Sequence, residues 1–237
     1  QTLDGGYIIF GNTQSFGDWG SSNGWLIKTD ENGNEQWSQV LEGHINFGQQ
    51  TSDGEYIIIG SIDSIDDDKN VFLTKTDESG NEVWTQLFGG YQSYGHSVQQ
   101  TSDGGYIITG DIYPFGNNNR DILLIKTDDD GNEVWSQIFG GNENEGSKSV
   151  QQTSDGGYII TGYTRSYGNG DVDVWLIKTD ESGNEVWTQT FGGTNLDFGE
   201  SVRQTTDGGY IIIGYTKSFG CGGRDLWLIK TDENGNE

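Results

Sequence analysis

The chain has no alanine and no methionine, and only one proline (Pro114), one cysteine (Cys221) and two histidines among its 237 residues. Alanine and methionine are among the best helix formers. What remains is rich in Ile, Val, Thr, Tyr, Phe and Trp, the residues of strands, so a helical protein is excluded. A lone cysteine closes no internal disulfide. Basic residues are scarce as well: 12 Lys and Arg stand against 37 Asp and Glu, a formal net charge of −25. Nucleic acid needs clustered Lys or Arg against its phosphates and is excluded as a partner. Apolar runs end at stretches such as Tyr210-Ile211-Ile212-Ile213, far short of the ~18 residues that span a bilayer. The absence of an initiator Met or a signal-type apolar stretch at Gln1 reads as a processed or partial chain.

Against these shortages stand 39 glycines and 29 aromatic residues. The aromatics suffice for a core, and the length suits one all-β domain.

Self-similarity covers the whole chain. Gln-Thr-x-Asp-Gly opens at Gln1, Gln50, Gln100, Gln152 and Gln204, with spacings of 49, 50, 52 and 52 residues. Each copy continues through Gly-Tyr-Ile-Ile or a close variant, a Gly-rich loop, Leu-Ile-Lys-Thr-Asp, a Gly-Asn turn and a Trp-bearing segment. The fourth copy predicts four strands: Ser149 to Gln152, Tyr158 to Thr161, Val174 to Lys178 and Val186 to Phe191. The first hairpin turns on Asp155-Gly156-Gly157, because glycine accepts positive φ freely. The second turns on Asp180 to Asn184, with Gly183 in the left-handed position. Four short antiparallel strands per repeat of about 50 residues is the arithmetic of a propeller blade. Counting Tyr7, Tyr56, Tyr106, Tyr158 and Tyr210 predicts a five-bladed all-β propeller over residues 1–237, with both terminal blades incomplete. Either flanking segments complete those blades or the open strand edges pair between subunits.

These motifs resemble WD-repeat and related propellers. Asp77-Glu78-Ser79-Gly80-Asn81-Glu82-Val83-Trp84 is similar to the docking segment of pyrroloquinoline-quinone-type repeats, one residue shorter before the glycine. That resemblance implies packing of Trp on the Gly of a neighbouring blade. The sialidase-type Asp-box is less similar, since Asp and Trp fall at different offsets. As a whole the chain resembles the Thr-Ser-Asp-Gly-Gly-Tyr-Ile repeats of secreted or surface proteins of bacteria and archaea. This implies an extracellular or cell-surface location and no particular activity.

Candidate chemistry is thin. His44, expected in the loop after the first Trp strand, His96 and Cys221 fall in three different repeats and form no catalytic or metal-type set. Asp30-x-Asn32-x-Asn34 has calcium-loop elements, but its Gly33 sits at the fourth position and no Glu follows at the twelfth, so its side chains read as hairpin formers bonding their own backbone. The denser acidic loop Asp63, Asp66, Asp67 and Asp68 is the better candidate for Ca²⁺, against a solvated loop; no other cofactor is expected. Lys28, Lys75, Lys126, Lys178 and Lys230 recur before Thr-Asp, with Glu35, Glu82, Glu133 and Glu185 as expected partners. The variable loop carries a recurring aromatic (Phe16, Phe115, Tyr167 and Phe219, with Ile65 in the second copy) and the single Trp19. These side chains either plug gaps between blades or stack on sugars. The latter is the reading that a resemblance in architecture to five-bladed lectin propellers implies. The expected function is a non-catalytic extracellular structural or interaction module. It would bind proteins or copies of itself in a larger assembly, with a lectin-like glycan binder as the alternative and an enzyme not expected.

Overall fold

A computed structural model describes residues 1–15, 22–63, 69–90, 92–116 and 118–237, and these carry 18 β-strands and no helix. They fall into two compact units, Gln1–Gln100 and Thr101–Glu237. The first holds a three-stranded sheet of β1 (Tyr7–Thr13), β2 (Asn23–Thr29) and β3 (Glu35–Leu41). A four-stranded sheet follows, of β4 (His44–Gln50), β5 (Tyr56–Asp63), β6 (Lys69–Thr76) and β7 (Glu82–Phe88), and β8 (Tyr94–Gln100) ends the unit. In the second unit, β9 (Tyr106–Ile112), β10 (Asp121–Thr127) and β11 (Glu133–Phe139) pair in order. They are followed by the four-stranded sheet β12 (Glu145–Gln152), β13 (Tyr158–Thr164), β14 (Asp173–Thr179) and β15 (Glu185–Phe191). The last sheet is β16 (Asp197–Gln204), β17 (Tyr210–Thr216) and β18 (Asp225–Thr231). Neighbouring strands are antiparallel and follow chain order, so the architecture is an all-β, β-propeller-like repeat.

The fourth repeat shows all four predicted strands, each extended at one end or both. The largest gain is in β12, which starts at Glu145 and continues through a bulge between Ser147 and Ser149. A bulge breaks the period-2 pattern, which hid that half of the strand from the sequence. His44 likewise opens β4 rather than lying in a loop.

Both turns are self-bonded. Gly156 N–H and Thr153 N–H close the first on Thr153 O and Gly157 O, with Gly156 at φ +86°. In the second, Asp180 Oδ1 accepts from Ser182 N at 2.9 Å and Asn184 N at 2.8 Å, and Oδ2 from Asn184 Nδ2 at 2.9 Å. The side-chain amide and backbone N–H of Asn184 hold the Asp180 carboxyl below the usual carboxylate range. Asp30 does the same with Asn32 and Asn34, as the hairpin reading of that loop expects.

The apolar core lies between repeats. Ile122, Leu124 and Phe139 of the third repeat cluster with Val150, Ile160, Trp175 and Ile177 of the fourth. Ile159, Val174, Leu176 and Phe191 of the fourth meet Val202, Ile212 and Ile229 of the fifth. Tryptophan closes the junctions within each unit. A Cβ on Gly80 would lie 2.6 Å from the Trp37 indole, on Gly183 2.6 Å from Trp135, and on Gly235 2.7 Å from Trp187. Each indole also meets the tyrosine of the following repeat edge-on, Trp37 with Tyr56, Trp135 with Tyr158 and Trp187 with Tyr210, at centroid distances of 5.7–5.8 Å. Burying one such ring contributes about 1.5–3 kcal/mol.

The lysines do not pair with the expected glutamates. A bulge at Lys178/Thr179 sets Glu185 opposite Thr179 and Trp187 opposite Lys178, so the ammonium reaches instead to the Asp-Gly turn. Lys178 Nζ lies 2.9 Å from Asp155 Oδ2 and donates to Thr179 O at 2.8 Å. Lys28–Asp4, Lys75–Asp53, Lys126–Asp103 and Lys230–Asp207 repeat the pair. A Cβ at Gly157 would stand 2.1 Å from Thr179 O and 2.7 Å from Lys178 Nζ, which accounts for the second glycine of the motif. The second repeat has Glu55 there; Lys75 adds an ion pair to it at 2.6 Å and is more exposed, 15% against 6% for the Lys178 side chain.

Gly33 has nearly the same positive φ as Gly183 but, among the described residues, no atom within 4 Å of its missing Cβ. Gly33→Ala is therefore expected to cost only the backbone strain, about 1 kcal/mol. Gly183→Ala also displaces Trp135 and should cost about 2–4 kcal/mol. Urea denaturation of both variants measures the difference, and equal losses would remove the docking explanation.

Candidate functional site

The two ends of the sheets in the second unit carry different chemistry. At the Asp-Gly end, an open cleft of about 590 Å³ is lined by Ser154, Asp155, Lys178, Trp187, Tyr210 and Glu233, among others. An equivalent cleft of about 500 Å³ is lined by Ser102, Asp103, Lys126, Trp135, Tyr158 and Glu181. Glu181 borders both. The hairpins place these groups: the tight turn delivers Asp155, β14 delivers Lys178, β15 delivers Trp187, and the following repeat adds Tyr210 and Glu233. Burial, reinforced by Asp103 and Glu181, pushes the Tyr158 phenol up to about 12, and burial with Asp155 and Glu233 does the same for Tyr210. Both stay neutral donors. Burial would raise Asp155, but hydrogen bonds from Thr153 and Lys178 outweigh it and hold the carboxyl low, hence ionised. Each cleft thus offers a half-buried indole edged by hydroxyl donors and carboxylate acceptors, while its lysine is already paired.

The opposite, loop-bearing rim gathers carboxylates. Glu145, fully buried, accepts through Oε1 from Thr164 Oγ1 at 3.0 Å and Ser166 N at 3.2 Å, and through Oε2 from Gly141 N at 2.9 Å. It ties the loop after β13 to the turn before β12. Asp197 repeats the clasp on Ser218, Thr216 and Gly193, and these bonds outweigh its burial and hold its carboxyl low. Beside each clasp stands the first residue of the preceding repeat's third strand, Asp121 or Asp173. A Cβ on Gly192 would lie 1.9 Å from Asp173 Oδ1 and 2.8 Å from Asp197 Oδ2, so both carboxylates converge there. Burial, then the Glu145 charge, raises Asp121 to about 6. Asp111 Oδ2 lies 3.2 Å from Arg120 Nη1, and its Oδ1 accepts from Ser147 N at 2.8 Å.

The structure brings together few of the residues expected from sequence. Phe16, Trp19, Asp66, Asp67 and Asp68 lie outside the described residues. Asp63 ends β5 and pairs with Lys69 at 3.2 Å. Phe115 is fully exposed. Tyr167 and Phe219 lean on Trp175 and Trp227, at centroid distances of 5.4 and 5.3 Å. His44 contacts Ser22 and Asn12, and Cys221 is exposed. Glu145, Asp197, Asp121 and Asp173 were missed. The acidic residue seven positions before Gln152 and again before Gln204 was a visible signal, masked by the bulge.

No family model and no curated protein matches the chain. Among solved structures, it is similar to the endo-arabinase of Bacteroides thetaiotaomicron, with a TM-score of 0.54 at 9% identity, over 100% of this chain and 97% of that one. A protein of unknown function from Dyadobacter fermentans gives a TM-score of 0.56 at 12% identity, over 96% and 72% of the two chains. The β-1,2-mannobiose phosphorylase of Listeria innocua gives 0.50 at 11%, over 90% and 67%. Likeness at this identity establishes the fold alone. It overturns the expectation of a non-catalytic structural module and the exclusion of an enzyme: enzymes share this architecture, so the repeats are no ground for setting catalysis aside.

Because the folded chain holds the Asp121 proton more tightly than the unfolded chain, the contribution of Asp121 to stability should fall as pH rises from about 4 to about 6. Asp121→Asn removes that penalty. The variant should be more stable than wild type by ~1–2 kcal/mol at about pH 7.5 and no more stable at about pH 4, as read by urea denaturation. An equal effect at both pH values would count against the assignment.

Proposed function

We propose that this chain is a carbohydrate-directed protein that holds neutral glycan in the clefts beside Trp135 and Trp187. The observation that carries the proposal is the cleft itself, built twice from the same residue types. An aromatic face among directed donors and acceptors suits a ligand with an apolar C–H face and many hydroxyls. Spare carboxylates and a net charge of −25 disfavour anions. In this reading the five repeats are the blades of one propeller, supported by the repeat count and by the end-to-end likeness to an endo-arabinase. A surface or extracellular location accords with the resemblance of its repeats to those of secreted proteins.

A second reading, glycoside cleavage, is favoured by Asp121, which keeps its proton to about pH 6 beside Glu145. An acid and a carboxylate at one rim are the groups that general acid–base chemistry uses.

Glu181 is exposed and borders both clefts. Glu181→Ala should weaken retention on neutral polysaccharide gels (arabinan, xylan, mannan, glucan) about tenfold with an unchanged melting temperature, while Phe115→Ala leaves retention intact. Migration unretarded by every polysaccharide would sink the reading. Release of reducing ends by wild type, lost in Asp121→Asn with retention preserved, would establish the second.

A further inference from the structure

The Trp135 and Trp187 clefts are divided by the two hairpins of the fourth repeat. In the tight turn, Gly156 lines the Trp135 cleft, while Ser154, Asp155 and Gly157 line the Trp187 cleft. In the second hairpin, Ser182 lines the first cleft, Asp180 the second, and Glu181 both. The same hairpin ties both indoles to one stretch of backbone. Trp135 packs on Gly183, and Trp187 follows four residues later in β15. Strands rise about 3.3 Å per residue, so the backbone positions that carry the two aromatic floors lie at most roughly 13 Å apart. One short oligosaccharide spans that distance and a single ring does not.

The clefts also repeat in sense. The second residue of the Trp-strand hairpin is Asp129 in the third repeat, Glu181 in the fourth and Glu233 in the fifth, and all three are exposed. Asp129 and Glu181 border the Trp135 cleft, and Glu181 and Glu233 border the Trp187 cleft. Related by the repeat itself, the second cleft offers the groups of the first again in the same order. A polymer of uniform linkage offers its own hydroxyls and C–H faces again in the same way, whereas a terminal sugar meets one cleft only.

We propose that the two clefts form one binding track, whose ligand is a stretch of linear, neutral polysaccharide crossing Glu181 with sugar rings on Trp135 and Trp187 at once. The track rests on the carbohydrate reading of the clefts and adds the form of the ligand. Once one cleft is filled, the second contact becomes intramolecular, which raises affinity without any new group on the protein.

The test is titration of the whole chain with di- and hexasaccharides of arabinan, xylan, mannan and β-1,4-glucan, followed by calorimetry and indole fluorescence. In at least one series the hexasaccharide should bind one per protein, at least about tenfold more tightly than the disaccharide. Asp129→Ala impairs only the Trp135 cleft and Glu233→Ala only the Trp187 cleft. Either should bring the hexasaccharide to within about threefold of the disaccharide, with an unchanged melting temperature. Two hexasaccharides per protein, bound no more tightly than disaccharides, overturn the track and leave the clefts standing. Tightening with length that survives both variants overturns it too, since the added contacts would then lie elsewhere. Absence of binding by every series, in both measurements, sinks the clefts and the track together.

Discussion

One constraint governs the structure: a sheet of three or four short strands has two faces to bury and too little chain to bury them itself. Within each unit, the repeat answers by making one sheet the cover of the next. Ile, Val and Leu of one copy meet Val, Ile and Tyr of the following one, and the junction is sealed where an indole lies on a glycine that has no Cβ to obstruct it. The glycine therefore serves two ends. It takes the positive φ that turns the hairpin, and its bare surface receives the neighbouring tryptophan. Substitution for turn geometry alone could not preserve both.

The same device builds the site. A tryptophan seated against the next repeat is shielded on one face and open along an edge, and the turns that bracket it carry Asp, Glu, Ser and Asn. Two junctions of the second unit thereby become clefts with an aromatic floor and polar walls. The buried lysine works from beneath. Tied to the Asp-Gly turn and to a backbone carbonyl, it fixes the turn that forms one wall, so its charge is structural. Buried charge of this kind is tolerable only with its donors satisfied, and Lys28, with Asp4, Thr29 and Gln36 around it, meets that condition.

The two ends of the sheets differ because the repeat is regular at one and variable at the other. At the Asp-Gly end, near-identical turns give near-identical clefts. At the rim, loops of unequal length and composition let single residues depart from the pattern: Arg120 with Asp111, Tyr167 against Trp175, Glu145 where the next copy has Asp197. Chemical diversity concentrates there, and so does the carboxyl raised by a neighbouring carboxylate, Asp121.

Strand vocabulary, the repeat and its hairpins and the self-bonding of Asp30 and its counterparts were legible in the sequence, because each depends on residues close together in the chain or on a period that repeats; the tryptophan-on-glycine contact was implied only by a resemblance to other propeller repeats. The lysine partners and the clasp carboxylates were not legible. A bulge shifted one strand against its neighbour by a single residue and sent the lysines to a different turn. Glu145 and Asp121 are 24 positions apart in the sequence and meet only because one opens the first strand of a sheet and the other the third strand of the sheet before. Local preference writes strands and turns into the chain; which side chains share a wall is settled when one sheet comes to rest on another.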